Sequence, residues 1–128
     1  MDDGLKSLIA ELESAKEGSR ALGEAVSLAA GWKHVDGPFG PVLHLEECSG
    51  REEDCNCVWR NPTLSLDAAL TLVPENWFWD ASNNPKTGGF ARLTDIPAIG
   101  DSMKEVKSFA STPALAMCGA ALKARDKA

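Results

Sequence analysis

The stretch NWFWDASNNPKTGGFARL, residues 76–93, decides the fold class of this chain. Its first part is rich in aromatic residues, which favour β-strands, and residues 90–93 form a second strand-like run. Between the two runs lies a cluster of Asn, Pro and Gly at 83–89, a composition typical of turns. The sequence therefore predicts a β-hairpin over 76–93.

Helical signals lie on both sides of this hairpin. After it, Thr112 is a typical N-cap and Pro113 suits the first helical position. The apolar stripe of this helix consists of Leu115, Cys118 and Leu122. Before the hairpin, Ser65 is a second N-cap, and Pro74 is expected to end the helix that starts there.

The N-terminal third adds further elements. Apolar residues at helical spacing, with a break at Gly18 and a cap at Ser19, predict a helical hairpin or bent helix over 4–30. Short strands are expected at 32–35 and 42–45, another at 57–59, and a surface loop at 95–111. This order predicts an α+β domain in which helices pack on a small mixed or antiparallel sheet.

Composition limits the function. The 128 residues correspond to one domain, 1–128, and the 44% hydrophobic content is that of a globular protein. The net charge of -6 argues against binding nucleic-acid polymers or anionic membranes. The acidic stretch 46–56 is predicted to be an exposed loop insertion. Neither a spanning apolar segment nor a secretory signal is recognisable, so a cytoplasmic location and reduced cysteines are expected.

Metal binding and nucleophilic catalysis are both weakly indicated. The soft ligands between 44 and 57 lack the C-x2-C spacing of zinc sites, so no metal is predicted, with a reversible disulfide as a further alternative. These residues are His44, Cys48, Cys55 and Cys57. Cys118 lies on the predicted buried face of its helix, and the G-x-S-x-G motif of serine hydrolases is absent. No cofactor and no catalytic residue is predicted.

Ligand binding has more support. Trp77 and Trp79 are two residues apart, so on a strand they point to one face, where they can stack on a base. Arginine side chains and free N–H groups at a helix start suit phosphate. The candidate ligand-binding residues are Trp77, Trp79, Arg60, Arg92, Ser111 and Thr112. The alternatives are core packing for the tryptophans, as expected for Trp32 and Trp59, and ordinary capping for the hydroxyl residues.

Several segments together resemble one known family. They are SLDAAL at 65–70, VPENW at 73–77, TPALAMC at 112–118 and AALKAR at 120–125, with the opening Leu-x2-Leu-Ile-x2-Leu-Glu pattern and Gly31-Trp32. In these segments the chain resembles the phage ABA sandwich domain family, whereas residues 36–58 lie outside the resemblance. The resemblance implies a three-layer α-β-α sandwich and a phage origin.

The function expected from residues and resemblance together is binding without catalysis. A phage protein of this kind would sequester a small nucleotide-derived immune signal in the host cytoplasm, as a homo-oligomer. Two alternatives stay open. One is a protein-interaction module that inhibits a host protein through the acidic residues 46–54. The other is a small hydrolase of a nucleotide signal.

Overall fold

A computed structural model of the chain describes residues 3–37, 40–45, 59–84, 86, 88–95 and 104–127. Within these ranges the fold is mixed α+β, as predicted. The elements in chain order are α1 Asp3–Ser14, α2 Arg20–Ala29, β1 Trp32–Gly37, β2 Gly40–Leu45, α3 Leu66–Leu70, β3 Trp77–Asn84, β4 Gly88–Asp95, β5 Glu105–Ala110 and α4 Pro113–Lys127.

The strands form two antiparallel sheets. Strands β1 and β2 make a two-stranded sheet in which Trp32 lies opposite Leu45, so the strands predicted near 32–35 and 42–45 are confirmed. Strands β3, β4 and β5 make a three-stranded sheet in that order. The β3–β4 hairpin is the one predicted over 76–93, with Trp77 opposite Asp95 and Asn84 opposite Gly88.

Strand β5 corrects the prediction of a surface loop over 95–111. Residues Glu105–Ala110 pair with β4, and Val106, Ser108 and Ala110 are buried while the residues between them are exposed. A serine at an inward position and a lysine beside it hide the period of two that marks a strand. Residues 96–103 and the predicted acidic loop at 46–56 lie outside the described residues.

Helix α4 occupies the centre of the core. It contacts β4 and β5 on one side and α1 and α3 on others. Every residue from Ala114 to Leu122 is buried, so the helix is covered on all sides rather than along the single predicted stripe. Most of these residues are small, and small side chains let neighbouring backbones approach closely. The sheet therefore packs on a helix whose sequence has little amphipathic pattern.

The predicted N-caps are confirmed. The hydroxyls of Ser19, Ser65 and Thr112 accept hydrogen bonds from the backbone N–H groups three residues later, at 3.2, 3.3 and 3.2 Å. Each bond satisfies one of the N–H groups that a helix start leaves unpaired. Residues 4–30 contain two helices, α1 and α2, connected by residues 15–19, which include Gly18 and Ser19. Helix α3 ends at Leu70, before the predicted stop at Pro74.

The three-stranded sheet has one covered face and one open face. Helix α4 packs on the face that carries the buried residues Ala91, Leu93 and Val106. The opposite face exposes Phe78 and Phe109. An α-β-α order of three layers is compatible with this arrangement and stays a prediction. None of the helices in the described ranges has the length and apolar character to cross a membrane.

Candidate functional site

Three of the six predicted ligand-binding residues lie in the three-stranded sheet, and the structure places them on two different faces. Trp79 lies opposite Leu93, and Arg92 lies opposite Asp80. Because side chains alternate along a strand, Trp77 and Trp79 are on the face of buried Leu93, and Arg92 is on the open face. Trp77 is half-buried against the core, and Trp79 is 49% exposed. The two tryptophans and Arg92 therefore do not line one pocket.

Ser111 and Thr112 have structural partners at the far end of the sheet. Ser111 Oγ donates a hydrogen bond of 2.5 Å to the carbonyl of Ala15, and Thr112 caps α4. These residues follow Ala110, which lies opposite Gly89. Gly89 is four positions from the residue facing Trp79, or about 13 Å along the strand. N-capping of α4 therefore accounts for the Thr112 hydroxyl without a ligand.

Arg60 is exposed beside a docked loop. Asn61 Nδ2 donates to the carbonyl of Ser19 at 2.8 Å, and Thr63 Oγ1 accepts from the Ser19 N–H at 3.1 Å. The indole N–H of Trp59 donates to Ser27 Oγ at 2.8 Å. These bonds hold residues 59–63 against the α1–α2 junction and α2, so Arg60 projects from a rigid support. Trp32 and Trp59, expected in the core, are both half-buried.

The open face of the three-stranded sheet carries aromatic side chains that were not among the candidates. We call this surface the open face; its residues are Phe78, Asp80, Ser82, Phe90, Arg92, Thr94, Glu105, Lys107 and Phe109. Phe78 and Phe109 are 64% and 60% exposed. Phe109 lies opposite Phe90, with ring centroids 4.9 Å apart and planes tilted by 40°. Phe90 and Phe109, on adjacent strands, form a small apolar platform, whereas Phe78 lies on the far side of the row of Asp80, Arg92 and Lys107.

Two ion pairs lie on the open face with these rings. Arg92 Nε and Nη2 donate to one carboxylate oxygen of Asp80 at 3.2 and 2.5 Å. This hydrogen bond and the charge of Asp80 raise the pKa of Arg92. Lys107 Nζ lies 3.1 Å from Glu105 on the same strand. The open face thus combines three phenyl rings with two cations, each neutralised by a carboxylate.

The sequence contains a partial signal for the exposed phenylalanines of the open face. Phe78 lies between Trp77 and Trp79, so the period of two already places it on the opposite face. Which of the two faces is exposed depends on where α4 packs, and the residues of β3 alone do not determine the position of α4. Phe109 lies on β5, within the segment that the sequence predicts as a loop, so the pattern gives no face for its side chain.

A partly buried polar cluster links α1, β5 and α4. Glu13 Oε2 accepts from Ser108 Oγ and from Lys123 Nζ, both at 3.1 Å, and Lys123 also donates to the carbonyl of Lys107 at 2.8 Å. A serine beside a lysine and a glutamate suggests nucleophilic chemistry, but Ser108 is 0% exposed. The cluster is therefore a structural contact between three elements.

Cys118 is also unsuited to nucleophilic catalysis. It is 0% exposed, and its Sγ lies 3.3 Å from the carbonyl of Pro62. Burial raises its pKa to about 12, so the thiol stays protonated at neutral pH. Within the described ranges no group of His, Cys, Asp and Glu is placed to hold a metal ion. The His44 side chain, Cys48, Cys55 and Cys57 lie outside those ranges.

Cys118 is expected to resist alkylation as long as the protein is folded. Iodoacetamide treatment at pH 8, followed by peptide mass spectrometry, should modify Cys118 only after guanidinium is added. An added reference peptide with a free thiol reports whether the reagent was active. Rapid native-state labelling of Cys118 would contradict its burial.

Comparison with family models, curated proteins and solved structures finds no match for this chain. The resemblance to the phage ABA sandwich domain family therefore stays a prediction from the sequence segments quoted above.

Proposed function

We propose that this protein acts by binding rather than catalysis, and that it sequesters a small nucleotide-derived signal on the open face. The observation that carries the proposal is the ring pair of Phe90 and Phe109, with Phe109 60% exposed, on the same face as Arg92 and Lys107. Aromatic rings stack on bases, and guanidinium groups bind phosphates. Of the six ligand-binding residues predicted from the sequence, this proposed site keeps Arg92 and does not use the other five.

The positions of the aromatic rings and the cations on the open face suit the base and the phosphate of a nucleotide. A base can lie against the Phe90–Phe109 pair, one residue row away from Arg92 and Lys107. Arg92 contacts Asp80 through Nε and Nη2, and a guanidinium has five N–H donors. It can therefore contact a phosphate without releasing Asp80. The two carboxylates limit the positive charge of the face, which favours a small ligand over a nucleic-acid polymer.

The biological setting of this proposal comes from the sequence resemblance. A phage protein that holds a nucleotide signal of the host immune response would lower the free concentration of that signal in the host cytoplasm. Such a protein needs affinity and abundance but no reactive group. The buried state of Cys118 and Ser108 is consistent with that requirement.

Isothermal titration calorimetry with cyclic dinucleotides and ADP-ribose tests the proposal. We expect one of them to bind with measurable heat, and Phe109→Ala or Arg92→Gln to weaken binding roughly tenfold, since a base stack contributes about 1–3 kcal/mol. The control is Leu64→Ala, which removes an exposed side chain away from the sheet. Absence of heat for every ligand well above micromolar protein concentrations would overturn the proposal.

Mass spectrometry separates sequestration from hydrolysis. After incubation and denaturation, a sequestering protein returns the ligand intact, whereas a hydrolase returns products. Recovery of product would replace the binding proposal with the enzyme alternative.

A second candidate function, a protein-interaction module, is favoured by the balanced charge of the open face. Aromatic rings and arginine are also enriched at protein interfaces, and the two carboxylates balance the two cations of this face. Pull-down from host lysate distinguishes two possible surfaces. Loss of one specific partner in a Phe78→Ser, Phe109→Ser double variant locates the interface on the open face. Loss after charge reversal at 46–54 locates it on the acidic stretch.

A further inference from the structure

The two edge strands of the three-stranded sheet, β3 and β5, differ in how well they are shielded from pairing with a further strand. On β5, the carbonyl of Lys107 already accepts a hydrogen bond from Lys123, and Ser108 is bonded to Glu13 of α1. Helix α1 also packs beside this strand. The edge at β5 is therefore covered by side chains and a helix, a common way to prevent strand pairing.

Among the residues that the structure describes, none protects the outer edge of strand β3 in this way. It is eight residues long, WFWDASNN, with no proline, no lysine and a single charge, Asp80. Six of its eight residues are exposed. Its extensive contacts within the described chain are with β4 and α4. A long edge strand with free backbone donors and acceptors is a template for a further strand.

We propose that β3 pairs antiparallel with β3 of a second copy of this chain, which joins the two sheets into one of six strands. The twofold axis of such a pair is perpendicular to the sheet, so one residue must face its own copy. The register is therefore determined by which residue lies on the axis.

The sequence of β3 favours an axis at Ala81. This register pairs residues 78–84 and places Phe78 opposite the partner's Asn84, Trp79 opposite the partner's Asn83 and Asp80 opposite the partner's Ser82. The serine hydroxyl can donate to the carboxylate on each side of the axis. An axis at Asp80 brings two like charges together, which is destabilising, and an axis at Trp79 or Ser82 pairs only five strand residues.

This self-complementarity identifies the occupant as a second copy rather than an unrelated extended peptide. The longest register without a like-charge contact also brings each charged residue against a hydrogen-bond donor. Because the axis is perpendicular to the sheet, both open faces lie on the same side of the dimer. The inference rests on the strand edge and does not require that the open face bind a nucleotide.

Sedimentation velocity over a concentration series, from about 1 to 200 μM, tests the pairing. We expect the wild type to approach twice the chain mass of 13.6 kDa. Ser82→Asp places a carboxylate opposite Asp80 twice and should weaken dimerisation about tenfold, whereas Ser82→Lys should keep or strengthen it. Ser7→Asp, the same substitution at an exposed position of α1, serves as the control. A monomer throughout the series would overturn the pairing.

The two Ser82 variants also test the register. They alter an exposed position, so circular dichroism should show unchanged secondary structure in both. A dimer that responds equally to Ser82→Asp and Ser82→Lys would overturn the axis at Ala81.

Discussion

A Gly89→Ala variant is expected to lose about 2–3 kcal/mol of unfolding free energy. Gly89 is buried on β4 where the strand passes the start of α4. A Cβ at this position would lie inside van der Waals contact of the backbone of Thr112 and Pro113. Backbone atoms cannot rotate away, so either β4 or the first turn of α4 has to shift, and Thr112 is the residue that caps that turn.

Urea unfolding followed by circular dichroism measures this effect. The matched control is Gly4→Ala, the same substitution at an exposed position of α1, which should leave stability unchanged or raise it by up to about 1 kcal/mol. Equal unfolding midpoints for Gly89→Ala and the wild type would show that α4 does not approach β4 as closely as described.

Leu115→Ala is expected to cost about 2–5 kcal/mol, the range for truncating a buried leucine. Leu115 is 0% exposed and lies in α4, which is surrounded by the sheet and by α1 and α3. Most of its neighbours along the helix are small residues, which cannot move far enough to fill the cavity. The loss should therefore fall in the upper part of that range.

Leu64→Ala provides the comparison because it makes the same substitution at a residue that is 65% exposed. Its unfolding free energy should change by less than about 0.5 kcal/mol. Thermal unfolding of both variants, measured at several protein concentrations, separates loss of core packing from any change in association. Similar losses for the two variants would contradict the central position of α4.

Local signals were sufficient for much of the fold. Ser19, Ser65 and Thr112 satisfy N–H groups a few residues away, so their role is visible in sequence and is confirmed. The hairpin over 76–93 is also determined by its own turn residues. By contrast, β5 depends on distant contacts: Ser108 is acceptable at an inward position because it bonds to Glu13, 95 residues earlier.

The candidate site was less predictable for the same reason. Alternation along β3 separates Phe78 from Trp77 and Trp79, but only the position of α4 determines which face is covered. Trp77 and Trp79 are large aromatic residues and are therefore plausible ligand-binding candidates in the sequence. In the structure, however, Trp77 packs against the hydrophobic core. The contact between Phe90 and Phe109 depends on how β4 pairs with β5. This pairing could not be predicted because the sequence pattern does not reveal β5 as a strand.

The central position of α4 has a consequence for biosynthesis. This helix follows all the other described elements in the chain, so the ribosome makes it after the surfaces that it covers. Until it emerges, the inner sides of α1 and the sheet have no partner and expose their apolar residues. Contacts such as Glu13 to Lys123 span 110 residues, and contacts this distant slow folding. The core is therefore expected to form only after α4 has left the ribosome, and until then the exposed apolar surfaces favour aggregation.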